Sequence, residues 1–190
     1  MQKSYDGKIN ANFTGKDILS LHQFDPKSIK KLFRVADKMA AIAQQTKPSD
    51  LLKGYIVSLL FFEPSSRTYG SFSSAIKRLG GGTIDVQNPM NTSVAKGESL
   101  EDTIKTFESY SNAIVIRHPQ KGVASNAAEA ANIPVINAGD GIGEHPTQTL
   151  YDMYTIYKRF GKLHNLTGLI AGDLLNGRTV HSLIIGLSLF

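Results

Sequence analysis

Tyr55-Ile56-Val57-Ser58-Leu59-Leu60-Phe61-Phe62 runs directly into Glu63-Pro64-Ser65-Ser66-Arg67-Thr68. The first eight residues form an apolar run of strand length, broken only by Ser58, as expected of a strand buried on both faces. The polar turn that follows opens a segment of helical character over 68–79, closed by Gly80-Gly81-Gly82. A buried strand feeding a helix through a short turn is the unit from which parallel sheets are built.

Reading outward from that unit, the same alternation recurs. Upstream, Ile29, Leu32, Phe33, Ala36, Ala40 and Ala43 repeat at helical spacing, with Asp25 placed to cap and Pro26 at the first helical position. Lys47-Pro48 ends that helix. Downstream the pattern predicts strands over 83–86, 113–116 and 134–137, with helices over 99–110 and 122–131 between them. The fold class is therefore α/β, a parallel sheet flanked by helices on both faces.

Past Asn137-Ala138-Gly139-Asp140-Gly141, Leu150, Met153, Tyr154 and Tyr157 mark a helix over 146–159, long enough to bridge two domains. A new unit then starts with an expected strand Leu169-Ile170-Ala171, a Gly172-Asp173 turn and a helix from about Gly177 to Phe190. That pattern breaks off after one strand and one helix. The expected division is one domain over 1–145, an interdomain helix over 146–160, and the start of a second α/β domain over 161–190, incomplete.

Composition narrows the chemistry. The 190 residues are 41% hydrophobic and 19% charged, ordinary for a folded globular chain rather than a disordered or fibrous one. With no cysteine, disulfides, thiolate metal sites and cysteine nucleophiles are excluded, which fits a reducing cytoplasm. Residues 1–12 are polar and lack the apolar core of a secretory signal, and no run approaches the roughly 20 residues needed to span a bilayer. No membrane role is expected. Lys+Arg 21 against Asp+Glu 16 gives +5, and the scattered basic residues suit small anions better than nucleic acid. The His and carboxylate residues show no metal-ligand spacing, and no cofactor is expected.

The segment 63–68 lies where a buried strand ends and a helix begins, the edge at which parallel sheets bind ligands. Free amides and the helix dipole favour an anion there, and two hydroxyls, of Ser65 and Ser66, with the Arg67 guanidinium add donors that suit phosphate oxygens. It is not a Walker loop, since GxxxxGK[ST] is absent. By itself the segment is equally a capping Ser beside a solvated Arg.

Phe61-Phe62-Glu63-Pro64-Ser65-Ser66-Arg67-Thr68 resembles the carbamoyl phosphate motif Ser-Thr-Arg-Thr of the carbamoyltransferases. His145-Pro146-Thr147-Gln148-Thr149-Leu150-Tyr151-Asp152 resembles the family's His-Pro-Thr-Gln segment, where ornithine-type members usually carry Cys at the place of Thr147. Gly172-Asp173, then Gly177-Arg178-Thr179-Val180-His181-Ser182-Leu183, resembles the aspartate-type signature. With Lys96-Gly97-Glu98 and Arg117-His118-Pro119 in order between them, the resemblance covers essentially the whole chain. One departure is Tyr69, where many relatives have a second Arg.

The resemblance implies a site for a phosphate, a carbamoyl carbonyl and a dicarboxylate. Ser65, Ser66, Arg67 and Thr68 would hold the phosphate, with Thr68 also near the carbonyl oxygen. Arg117, emerging after its strand, would bridge phosphate and carbonyl; read without the family it is as easily a surface ion pair. His145 would donate to the carbonyl oxygen as it becomes an oxyanion, and Gln148, one turn on, would hold the carbamoyl NH₂. Without the family these are a helix cap and ordinary surface polarity. Arg178 would pair with an aspartate carboxylate. Ser93 and Lys96, on the polar stretch 88–98, would enter the site of a neighbouring subunit in a homotrimer; a solvated Lys96 is the plain alternative. Regulatory subunits are a partner class the sequence leaves open.

The implied reaction is attack of the aspartate α-amine on carbamoyl phosphate to give carbamoyl aspartate and phosphate, an early step of pyrimidine synthesis. Thr68, Arg117 and His145 would stabilise the oxyanion. The family's second domain carries further aspartate-binding groups, so these 190 residues are expected to bind carbamoyl phosphate with little turnover. Two other readings stand beside it: a carbamoyltransferase for a different amine, and a non-catalytic phosphate-binding or assembly module.

Overall fold

The computed structural model describes residues 7–87 and 96–190. Its sheet has four strands, β1 (Ile56–Phe61), β2 (Gly82–Val86), β3 (Ala113–His118) and β4 (Val135–Asp140), in the order β2-β1-β3-β4. All three pairings are parallel, with Leu60 beside Val86 on one side and beside Ile116 on the other. Among the described residues six α-helices accompany them: α1 (Pro26–Ala43), α2 (Ser66–Arg78), α3 (Leu100–Glu108), α4 (Val123–Ala130), α5 (Pro146–Phe160) and α6 (Arg178–Leu187).

The central strand β1 explains its own sequence. Leu60 and Phe62 pack with Ile114, Ile116 and Val135 against Ile104 of α3 and Ala124, Ala127 and Ala128 of α4. Val57, Leu59 and Phe61 face the other way, joining Val115 and Ala138 against Ile76 of α2. Both faces are covered, which is why the run is continuously apolar. Ser58 is fully buried, and its hydroxyl is matched by the Ser111 hydroxyl at 3.0 Å. Tyr69, at the place of the family's second Arg, stands edge-on to Phe61 with ring centroids 5.7 Å apart, so it packs the sheet face of α2.

From β1 the chain goes outward to β2, then returns past β1 to β3 and on to β4. The helices after β1 and β3 consequently lie on opposite faces. The carboxyl ends of β1 and β3 form the crevice at this reversal, the place where open α/β sheets take their ligands. The outer edge of β4 is occupied by the N-terminal segment: Ile18 pairs parallel with Ile136, and Val135 N–H donates to the Asp17 carboxylate.

A third apolar cluster joins α1, α5 and α6, built on Ile29, Phe33, Leu150 and Met153 with Leu21 and Phe24. Here α6 lies close against α5. A Cβ on Gly186 would stand 2.6 Å from Met153 Sδ and 3.0 Å from Thr149 Cγ2, so only a residue without a side chain allows the approach.

Three sequence expectations are corrected. The expected strand 169–171 does not form: among the described residues it has no neighbouring strand, and Leu169 is 94% exposed. A strand without a ladder leaves its amides unpaired, and three apolar residues cannot offset that. β3 extends to His118, so Arg117 is a strand residue instead of following the strand. β4 likewise runs past the expected 137 to Asp140.

Candidate active site

At the carboxyl ends of β1 and β3 the chain encloses a cavity of about 820 Å³. Three helices open on it by their N-termini: α2 at Ser65, α5 at His145 and α6 at Gly177. Ser65 and His145 place no side-chain cap on the first-turn amides of their helices, and Gly177 has no side chain to offer; α1 and α3, which open elsewhere, are closed by Asp25 and Ser99, while α4, behind Gly122, also lacks a side-chain cap but does not line the cavity. The first-turn amides of a helix have no intrahelical acceptor. Leaving three such ends uncapped around one cavity concentrates amide donors and positive dipole ends where an anion would lie.

Charge reinforces this. Arg67, Arg117 and Arg178 all line the cavity. Arg117 is 8% exposed; its Nη1 donates to the Ala138 carbonyl at 3.1 Å, and its Nη2 is 3.1 Å from Glu63 Oε2. Its Nε is buried with no acceptor among the described residues. Burial, then the neighbouring Arg178, lowers the Arg117 pKa from its ordinary value, while Glu63 opposes the shift. Arg178 donates to the Gly141 carbonyl at 2.9 Å and to the same Glu63 oxygen at 3.0 Å. Gly139, at φ +114°, is what lets both guanidiniums close on the end of β4: a Cβ there would lie 3.0 Å from Arg117 Nη1 and 3.1 Å from Arg178 Cζ.

His145 is 5% exposed, and its pKa is lowered to about 4 by burial and then by Arg117 and Arg178. The imidazole is therefore neutral at pH 7. Its Nδ1 lies 3.4 Å from the Thr147 hydroxyl, and its backbone N–H donates to Ser182 Oγ of α6 at 3.0 Å. The adjacent Glu144 carboxylate accepts from the Ser20 hydroxyl and from Leu21 N–H, tying the His145 turn to the N-terminal segment.

The cavity thus brings together Ser65, Arg67, Thr68, Arg117, His145, Gln148 and Arg178 from segments far apart in sequence. Ser66 is the first residue of α2 and exposed; its side chain does not line the cavity. Lys96 is exposed and lies outside it as well. Ser93 lies outside the described residues. Glu63, held between two arginines, is not singled out by the sequence reading, although an acidic residue inside the motif 61–68 is the signal that marks it.

Residues 16–158 match the family described as aspartate/ornithine carbamoyltransferase, carbamoyl-P binding domain. The chain belongs to this carbamoyltransferase family. It is 51% identical over 179 residues to the aspartate carbamoyltransferase catalytic subunit of Thermococcus kodakarensis, covering 94% of this chain and 58% of that subunit. It is equally similar, 51% over 179 residues, to the chloroplastic aspartate carbamoyltransferase of Arabidopsis thaliana, covering 94% of this chain and 46% of that protein. The fold matches aspartate transcarbamoylase of Trypanosoma cruzi in complex with carbamoyl aspartate and phosphate, with TM-score 0.89 and 43% identity over 93% of this chain and 55% of that one. A further structure of the same enzyme holds carbamoyl phosphate and aspartate, again with TM-score 0.89. The chain spans about half the length of these carbamoyltransferases. Among the described residues no helix is long and apolar enough to cross a membrane.

Proposed function

We propose that the cavity binds carbamoyl phosphate and that the chain serves the transfer of its carbamoyl group to the α-amine of L-aspartate. The observation that carries this reading is the meeting of three uncapped helix N-termini with Arg67, Arg117 and Arg178 at the sheet's switch point. The α2 amides, that of Ser66 among them, hold the phosphate with the side chains of Ser65, Arg67 and Thr68. Arg117, whose side chain lines the cavity, reaches phosphate and carbonyl oxygens together through guanidinium N–H groups not taken by Glu63 or the Ala138 carbonyl.

Neutral His145 acts as a hydrogen-bond donor to the carbonyl oxygen. An imidazole that stays neutral between two guanidiniums adds a donor without adding charge repulsion. Attack by the aspartate amine forms the new C–N bond; the tetrahedral oxyanion is met by Thr68, Arg117 and His145; the C–O bond to phosphate then breaks, and phosphate leaves into the cationic cradle. The amine proton is lost to solvent or phosphate. Arg178, which pairs with Glu63 in the free chain, receives an aspartate carboxylate.

The domain reading follows: carbamoyl phosphate is held by 1–145, α5 bridges, and 161–190 begins the aspartate half. A homotrimer completes the site, with Lys96 and Ser93 entering a neighbour's cavity; Lys96 is exposed and outside its own. The compartment is the cytoplasm, supported by a sequence without cysteine.

The test is product analysis of the purified chain with carbamoyl phosphate and either aspartate or ornithine. The reading predicts saturable carbamoyl phosphate binding with at most slow carbamoyl aspartate formation. Carbamoylation of ornithine in preference to aspartate would replace the acceptor, and no carbamoyl phosphate binding would remove the function.

A further inference from the structure

One side chain in the cavity wall has an orientation that chemistry fixes. Gln148 lies in the first turn of α5, and its Nε2 donates to both oxygens of Asp152, at 3.2 and 3.1 Å. Asp152 is one turn further along the same helix, half-buried, and is not itself part of the cavity wall. An amide can be turned either way unless a partner decides it. A carboxylate can only accept, so the NH₂ of Gln148 must face Asp152 and its Oε1 must face away.

The same amide end also meets the Tyr151 hydroxyl in the cavity wall, and no hydrogen bond to Oε1 is found among the described residues. The rest of the wall carries three guanidiniums and helix amides, which only donate, and hydroxyls and the neutral His145 ring, which can turn either a donor or an acceptor to the ligand. Such a wall recognises the oxygens of phosphate and carbonyl and is indifferent to what else the carbonyl carbon bears. An acceptor that cannot turn into a donor is what distinguishes an amide NH₂ from a methyl group of nearly the same size.

We propose that Asp152 is a positioning residue that makes the site selective for the carbamoyl group: it holds the Gln148 amide so that Oε1 accepts from the carbamoyl NH₂. The inference rests on the carbamoyl phosphate reading of the cavity. Burial raises the Asp152 pKa while the Gln148 bond opposes the shift, so the pair stabilises the ionised carboxylate on which the orientation depends. Asp152→Asn keeps the size but offers both a donor and an acceptor, so Gln148 is free to turn either end toward the cavity.

The experiment compares dissociation constants for carbamoyl phosphate and for acetyl phosphate, which carries methyl in place of NH₂. They are measured by calorimetry at about pH 8, far above the ordinary carboxylate range. The proteins are the unaltered chain, Asp152→Asn, Gln148→Ala and the double variant, with inorganic phosphate binding as the check that each retains its phosphate cradle. The unaltered chain should prefer carbamoyl phosphate, and Asp152→Asn should lower that preference about three- to tenfold, the worth of one hydrogen bond, with acetyl phosphate little affected. In the Gln148→Ala background, Asp152→Asn should leave the preference unchanged. Equal weakening of both ligands, or the same effect of Asp152→Asn without Gln148, would overturn the proposal and leave Asp152 a packing residue. If the unaltered chain binds inorganic phosphate but shows no preference for carbamoyl phosphate, the reading of the cavity fails and this inference with it.

Discussion

Glu63 Oε2 lies 3.0 Å from Arg178 Nη2, joining the loop after β1 to the first residue of α6. The same oxygen is 3.1 Å from Arg117, so one carboxylate serves two largely buried cations. Without it, both guanidiniums would stand unpaired in a site that also draws positive potential from three helix ends.

Glu63→Gln should therefore destabilise the chain by about 3 kcal/mol, the usual cost of leaving a buried ion without its partner. Inorganic phosphate should restore more stability to the variant than it gives the unaltered chain, because an anion takes over the role of the lost carboxylate. Thermal unfolding with and without phosphate checks this. Equal phosphate-induced stabilisation of the two proteins would show that the arginines do not meet the anion.

The His145 pKa of about 4 makes a signed prediction. In the unfolded chain the imidazole takes its proton near the ordinary value of 6.5, whereas in the folded chain it resists until about 4. The unfolded state binds more protons between these values, so stability falls as pH drops from 6.5 toward 4, by about 3 kcal/mol in all, and is insensitive to this group above 6.5. NMR titration of the His145 ring should give a midpoint near 4 without ligand and a higher one with phosphate bound, since the anion offsets Arg117 and Arg178. A ring titrating at its ordinary value without ligand would contradict the burial of His145 among cations.

Ser182 accepts the His145 backbone N–H and is itself fully buried. Ser182→Ala leaves that N–H without an acceptor and should cost about 1–3 kcal/mol, measurable by urea unfolding. Because α6 packs on α5 through this contact, amide exchange in the His145 turn should rise with it. Unchanged exchange there would separate α6 from the positioning of His145.

The strands are legible in the sequence where burial is two-sided, as in Tyr55 to Phe62, because a continuous apolar run bounded by turns is what two covered faces require. The apolar triplet Leu169-Ile170-Ala171 has a similar local pattern but no neighbouring strand among the described residues, and neighbours are not written in local pattern. For the site, topology places the segment 63–68 at a strand-to-helix edge, but Arg67, Arg117 and His145 are singled out by the resemblance of their motifs, since alone they read as easily as a solvated Arg, an ion pair and a helix cap. The roles of Glu63 and Asp152 are not legible, because they depend on partners: Arg117 and Arg178 lie far along the chain from Glu63, and the orientation of an amide is visible only in three dimensions. The neutrality of His145 is equally hidden, since it follows from burial beside two arginines.

The central claim is that Arg67 and the α2 N-terminus bind the phosphate of carbamoyl phosphate, and a titration of the chain followed by phosphorus NMR tests it most directly. Arg67 is exposed on the first turn of α2, so Arg67→Ala should leave folding intact while removing a charge-assisted bond worth about 1.5–3 kcal/mol. The account predicts saturable binding by the unaltered chain, weakened about ten- to a hundredfold in the variant. Binding of equal strength in both proteins would contradict it.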